Sequence, residues 1–389
     1  MKEVVERVKN MERSGIRAIL NIANSMDVDI LHLEIGQPHY PTPQHIVNAA
    51  VEATKEGYIR YTMNEGRIET RKIVADKINN DYSGFDVNEN NILLSIGAVY
   101  GLAVAILSLV EPHHKVLLPD PSWPNYKLQT IMANADPLYY PLQEKNNFRP
   151  DVKDLEKIVT KDTDMLVINN PGNPTGAVFT KKDIEELIEF AKKHDLYILS
   201  DEVYEKVIYE GKHIPIASFD KDGRVITVSS LSKTYSMTGW RIGYVVADEK
   251  LCQQFVKLSE TFISCPPYIS QKALEAAFLG PQDFTHEMVS YYRRNIDVGV
   301  KILSDAGISF VKPNGALYFF INISKTGMDS NAFALELLNE KHVSVGPGNT
   351  FGPSSNKFVR LSFSTEFELF KKGIERFAEF LVEKEKLRR

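Results

Sequence analysis

The sequence predicts an α/β protein: a large domain on a mostly parallel sheet of seven strands covered by helices, joined to a smaller α+β domain. Three observations predict it. From residue 91 onward, short apolar runs rich in β-branched residues alternate with amphipathic helical segments, the pattern of parallel strands buried on both faces. Polar and glycine-rich motifs follow several of those runs, where an open α/β sheet binds its ligands. Past about residue 266 the texture changes to long charged helices and short strands.

In chain order, residues 1–26 alternate charged and apolar residues at helical spacing, and 30–35 reads as a short strand. It runs into Gly36-Gln37-Pro38-His39-Tyr40-Pro41-Thr42-Pro43, which glycine and proline keep out of regular structure. A helix over 44–56, a loop over 58–66 and a helix over 68–80 follow. Strands are expected at 92–95, 115–119, 136–141, 164–169, 196–200 and 224–228, with 242–247 an edge strand. Helices fall at 97–110, 151–159 and 181–194; the last carries acids early and Lys and His late, matching the helix dipole. Short strands are expected at 316–321 and 357–363. The implied division is an N-terminal segment 1–45 joining the small domain, a large domain 46–275 and a small domain 276–389. There is no repeat, low-complexity tract or linker.

Composition excludes several function classes. Over 389 residues, 43% hydrophobic and 25% charged, the chain has length for two globular domains. A formal charge of −5 with scattered basic residues argues against a nucleic-acid or anionic-membrane partner. The basic cluster at 384–389 reads as a solvated helix end. The charged start does not read as a signal peptide, so none is expected, and no apolar run reaches transmembrane length. Cys252 and Cys265 lack metal or redox spacing, so both read as buried thiols of a reducing compartment, the cytosol, and no metal site is expected.

Three motifs lie just beyond strand ends: Asn169-Asn170-Pro171-Gly172-Asn173-Pro174-Thr175-Gly176, Asp201-Glu202-Val203-Tyr204, and Ser230-Leu231-Ser232-Lys233 leading to Gly239-Trp240-Arg241. Alone, each has a plain reading: a tight turn, a helix cap, a surface lysine. Together at matching strand ends they suit one ligand, pyridoxal phosphate. A desolvated Lys233 offers a nucleophilic amine for its aldehyde. Ser230, Ser232 and Arg241 are phosphate ligands by type, and the backbone at Gly97, Ala98 and Val99 opens a helix whose dipole favours anions. Asp201 can hold the proton on a pyridine nitrogen, Asn173 and Tyr204 can donate to the ring oxygen, and Trp123 can cover the ring face.

With Asn173-Pro174-Thr175-Gly176, Asp201-Glu202-Val203-Tyr204, and Ser230-Leu231-Ser232-Lys233 through Arg241, the chain resembles the class I/II aminotransferases of pyridoxal-phosphate fold type I. Gly36-Gln37-Pro38, Tyr61-Thr62 to Gly66 and Val359-Arg360-Leu361-Ser362 extend the likeness over nearly the whole chain, nearest the prokaryotic aspartate and aromatic subgroup. The resemblance implies a homodimer with shared sites. It implies that Arg360 grips the substrate α-carboxylate, with Gly36, Trp123 and Asn173 beside it. It implies that Tyr61 reaches the phosphate of the neighbouring subunit. The Gly-Ala pair at 97–98 is usually followed by a polar phosphate ligand; here Val99 leaves only a backbone contact. The implied reaction is a ping-pong transfer from an amino acid, aspartate first and aromatic donors next, to 2-oxoglutarate, with Lys233 as general base.

Three rivals differ in chemistry. A serine acyl-transferase would use Ser230-x-x-Lys233 with Lys325-Thr326-Gly327 and Ser354-Ser355-Asn356, but their order is reversed and Asp201 and Asn173 stand idle. A carbon–sulfur β-lyase on the same fold would use Lys233 and Arg360 equally. A cofactor-binding regulator without turnover would need a DNA-binding domain, and none is expected from this sequence.

Overall fold

A computed structural model describes residues 3–9, 11–12 and 14–388. Its strands in chain order are Leu31–His32 (β1), Ile92–Ser95 (β2), Lys115–Asp120 (β3), Asp136–Pro141 (β4), Thr163–Asn169 (β5), Tyr197–Asp201 (β6), Val225–Ser230 (β7), Gly243–Val246 (β8), Tyr318–Asn322 (β9), Val343–Ser344 (β10), Gly346–Pro347 (β11) and Phe358–Ser362 (β12). Seven form one sheet in the order β2-β8-β7-β6-β5-β3-β4. Its parallel pairs are β3 with β4 and β5, β5 with β6, and β6 with β7. The strand β8 runs antiparallel to both neighbours.

That order corrects one expectation. Residues 242–247 are not an edge: β8 lies between β2 and β7 with all four residues buried, and the edges are β2 and β4. An antiparallel strand inserted between two others has no open side, so its apolar run reads locally like any other buried strand.

Apolar strands place one core on each face of the sheet. Leu117, Leu166, Ile168 and Ile198 pack with Ile184, Leu187 and Phe190 of the helix Lys181–Lys193. Leu118, Val167, Leu199 and Val228 pack with Leu102 and Ala105 of Ala98–Leu109 and with Phe255 of Glu249–Ile263. The helix at 181 starts as its sequence demands: Thr180 accepts from the Asp183 N–H, and Asp183 accepts from the Thr180 N–H.

A separate core joins both ends of the chain. Ile19, Leu31 and Leu33 are buried with Phe319, Phe370, Phe377 and Leu381. The small sheets are β11-β12-β9, antiparallel, and β1-β10, parallel.

Other differences are local. The helix expected at 151–159 is only Val152–Glu156, and Asn125–Met132 is a helix that the sequence reading did not include. Within 1–26 the helices are Glu6–Lys9 and Gly15–Asn24; residues 1, 2, 10 and 13 lie outside the described residues. Cys265 is not fully buried; its Sγ accepts from the Thr62 N–H at 3.4 Å. Nor is the basic C-terminus simply solvated: Lys384 pairs with Glu336 and Glu340 at 2.8 and 2.9 Å, while Arg389 lies outside the described residues. Among the described residues, no helix is long and apolar enough to cross a membrane and no acid, His or Cys cluster could hold a metal.

Candidate active site

The parallel strands β5, β6 and β7 end side by side, with Asn169 opposite Asp201 and Asp201 opposite Val228. Ser230 closes β7 and starts a single helical turn, Leu231–Thr234, by accepting from the Ser232 N–H at 3.3 Å. A small hydroxyl at that junction therefore lets the backbone leave the strand and carry Lys233 into the crevice. The Lys233 Nζ donates to the Gly36 carbonyl at 2.7 Å, across 197 positions of sequence. Burial, reinforced by the Arg360 and Arg241 charges, brings its pKa down to about 8, with Asp201 opposing.

Asp201 is 3% exposed. One carboxylate oxygen accepts from the Tyr126 hydroxyl at 2.6 Å, the other from the Val203 N–H at 3.3 Å. Burial pushes its pKa up to about 6 against those two donors. The fully buried Tyr126 was missed in the sequence. It lies on the unforeseen helix, three residues after Trp123, and the two rings pack edge to face at 5.6 Å. Asn169 donates its amide to the Asp201 carbonyl at 3.1 Å and accepts from the Asn173 N–H at 2.7 Å, so two of the motifs are directly bonded.

Arg360, in the middle of β12, is 3% exposed. Its guanidinium lies 4.2 Å from the Tyr318 ring centroid and 4.8 Å from that of Phe351. It donates through Nη1 to the Asn173 Oδ1 at 3.1 Å and through Nη2 to the Glu34 carbonyl. The Nε is buried without a partner. Burial pulls this guanidinium below its ordinary pKa, and the facing Tyr318, Tyr204 and Glu34 oppose the shift. With Oδ1 turned to Arg360, the Asn173 amide nitrogen is left to donate elsewhere. Tyr204 shares a 2.7 Å hydroxyl–hydroxyl hydrogen bond with Tyr318, a residue the sequence reading did not single out. Gly36 packs so closely on that hydroxyl that a Cβ would lie 1.8 Å from it.

The helix Ala98–Leu109 opens at Gly97, whose φ is 86° and which has no side-chain cap. A Cβ on Gly97 would stand 2.6 Å from the Arg241 Nη2. Arg241 is held there by the Thr238 and Ile96 carbonyls at 2.8 and 3.1 Å, so a guanidinium lies against the turn that carries Ala98 and Val99. The side chain of Val99 takes no part in this polar arrangement, while its carbonyl accepts from Gln129 at 2.8 Å. Tyr61 stands apart from these residues: it is 89% exposed, on a loop that also exposes Ile59 and Met63.

The rival serine motif is not assembled. The Ser230 Oγ is engaged by the Ser232 N–H and Lys233 by Gly36; Arg388 contacts the Ser324 and Lys325 carbonyls, and the Ser354 N–H binds Asp120.

Known proteins resemble this chain over nearly their full length. The family model "Aminotransferase class I and II" matches residues 28–377. An aromatic-amino-acid aminotransferase of Thermococcus litoralis and an aspartate aminotransferase of Pyrococcus abyssi are each 37% identical, over 97% of this chain and 98% of theirs. A solved aspartate aminotransferase of Thermus thermophilus, a single mutant, superposes with a TM-score of 0.93 at 30% identity, over 98% of this chain and all of that one. The aromatic aminotransferase of Pyrococcus horikoshii superposes with a TM-score of 0.89 at 36% identity, over 95% and 99%. The chain therefore belongs to the class I and II aminotransferase family.

Proposed function

We propose that this aminotransferase works with pyridoxal phosphate, taking an amino group from aspartate and passing it to 2-oxoglutarate. The observation that carries the reading is one contiguous chain of contacts. Lys233 reaches Gly36, Gly36 abuts Tyr318, Tyr318 stacks on Arg360, Arg360 holds Asn173, and Asn173 is tied through Asn169 to Asp201.

The residues fit the cofactor. The Gly97 turn and Arg241 form an anion cradle in which a side chain at residue 97 would collide with the guanidinium. Ser230 ends β7 close to the Ala98 backbone nitrogen, its Cβ and that nitrogen lying 3.0 and 3.1 Å from where a Cβ on Gly243 would stand, and Ser232 follows in the helical turn. The Lys233 amine, with a pKa near 8, is neutral in useful proportion at physiological pH. Asp201, largely ionised at neutral pH, would keep a proton on a ring nitrogen; Asn173 and Tyr204 would donate to the ring oxygen, with Trp123 over the ring face.

When bound through Lys233, the cofactor supplies an electron sink for the charge left at a substrate α-carbon. The chain's own groups do the rest. Arg360 takes the α-carboxylate on the edge that carries its unpartnered Nε, and the two aromatic rings keep the guanidinium plane from turning. Lys233, with its amine free, would accept the α-proton at Nζ and return it on the far side of the transfer. The second oxo acid uses the same grip and the same lysine in reverse. Tyr61 serves the neighbouring subunit's phosphate in a cytosolic homodimer. Its exposed, partly apolar loop suits an interface.

Aspartate is the first donor, and the equal identity to an aspartate and an aromatic enzyme keeps aromatic donors as the second reading. A panel of amino donors with 2-oxoglutarate, compared by kcat/KM, tests both. Aspartate should rank first. Preference for phenylalanine or tyrosine would replace it, and pyruvate and ammonia formed without an acceptor would indicate a β-lyase.

A further inference from the structure

Tyr318 begins β9 and is 2% exposed, yet it touches three separate parts of the crevice. Its ring lies 4.2 Å from the Arg360 guanidinium. Its hydroxyl shares a 2.7 Å hydrogen bond with the Tyr204 hydroxyl. The backbone of Gly36, whose carbonyl takes the Lys233 amine, fits against that hydroxyl only because residue 36 has no side chain. Here ring and hydroxyl serve different functional groups.

We infer that Tyr318 is a two-ended positioning residue, its ring holding Arg360 for the substrate carboxylate and its hydroxyl orienting the Tyr204 hydroxyl toward the cofactor's ring oxygen. The inference rests on the aminotransferase reading. One proton lies between the two hydroxyls, so when Tyr204 turns its own proton outward, Tyr318 must donate to Tyr204. Two donors in series bind an anionic oxygen more strongly than one, because each hydrogen bond polarises the next. The stack works differently: it fixes the plane of Arg360, so a carboxylate meets a fork already in place.

The two ends separate experimentally. Tyr318→Phe keeps the ring and removes the hydroxyl; Tyr318→Leu removes both. The readouts are the pH titration of the visible band of the cofactor on Lys233, and the dissociation constants of succinate and 3-phenylpropionate. A weaker donor leaves more charge on the ring oxygen, which holds the titrating proton tighter. In Tyr318→Phe the midpoint should therefore rise, by about half a pH unit, with carboxylate affinity within about twofold of wild type. Tyr318→Leu should show a similar rise and also bind the better of the two carboxylates about tenfold more weakly. An unmoved midpoint in Tyr318→Phe overturns the hydroxyl role. Wild-type carboxylate affinity in Tyr318→Leu overturns the ring role, and equal affinity losses in both variants overturn the division between them. If Tyr318→Leu fails to fold, Tyr318→Met, which also removes the ring and the hydroxyl, takes its place under the same criteria. A wild-type protein without a Lys233-linked band would instead refute the cofactor reading itself.

Discussion

At the residue scale, burial does most of the chemical tuning. Asp201 is desolvated enough to rise to about 6, and Tyr126 and the Val203 N–H limit that rise. Asp201→Ala should slow deuterium exchange at the substrate α-carbon by orders of magnitude, while Tyr126→Phe, which removes one charge-assisted bond, should slow it by about tenfold. Equal exchange rates in wild type and Asp201→Ala would refute the role. Lys233 gives a stability prediction. Its pKa falls from 10.5 to about 8 on folding, so between those pH values the unfolded chain binds more protons than the folded one. Its cost to stability is therefore complete below pH 8 and fades as pH rises toward 10.5. In cofactor-free protein, Lys233→Met should be more stable than wild type at pH 7, by ~1–3 kcal/mol, with the gap closing near pH 10. Urea denaturation at the two pH values measures it, and a gap independent of pH would contradict the shift.

At the scale of elements, the loop after β11 ties the small sheet to the end of β3. The Phe351 carbonyl accepts from the Ser122 N–H at 2.7 Å, and the Ser354 N–H donates to Asp120 at 3.0 Å. Between them Gly352 has a φ of 146°, and a Cβ there would lie 2.1 Å from an Asp120 carboxylate oxygen. Gly352→Ala is thus strained in backbone and in contact, and the loop must lift. Phe351, which faces Arg360 from this loop, would lift with it. The expected outcome is a KM raised about tenfold for amino and oxo acids alike, with the cofactor's binding constant unchanged. Steady-state kinetics on two dissimilar donors tests it; an effect on only one donor would place the loop at the side-chain pocket.

At the scale of the whole molecule, the exposed Tyr61 has a role only if a second chain completes the site. Complementation tests this, provided Tyr61→Ala alone is strongly impaired. Mixed with Lys233→Ala under conditions of subunit exchange, it should form dimers in which one site lacks both groups and the other has both. Random mixing makes about half the dimers mixed, so roughly a quarter of wild-type activity should return from two nearly inactive proteins. No recovery despite demonstrated exchange would place Tyr61 in its own subunit's site, or in none.

The sequence by itself determined the α/β sheet and where its ligand-facing ends lie. Alternating apolar runs and amphipathic helices are local patterns, and strand-end residues such as Asn169, Asp201 and Ser230 follow from where each run stops. The resemblance added Arg360, which periodicity alone presents as an arginine on an apolar strand. Only the tertiary structure decided which distant groups meet. Arg360 bonds Asn173 across 187 positions and Lys233 bonds Gly36 across 197. Tyr126 and Tyr318 are ordinary core aromatics in the sequence, and their hydroxyl partners come from other elements. The place of β8 inside the sheet was hidden for the same reason: a strand's own residues record that it is buried, whereas its neighbours are chosen by the packing of the whole chain.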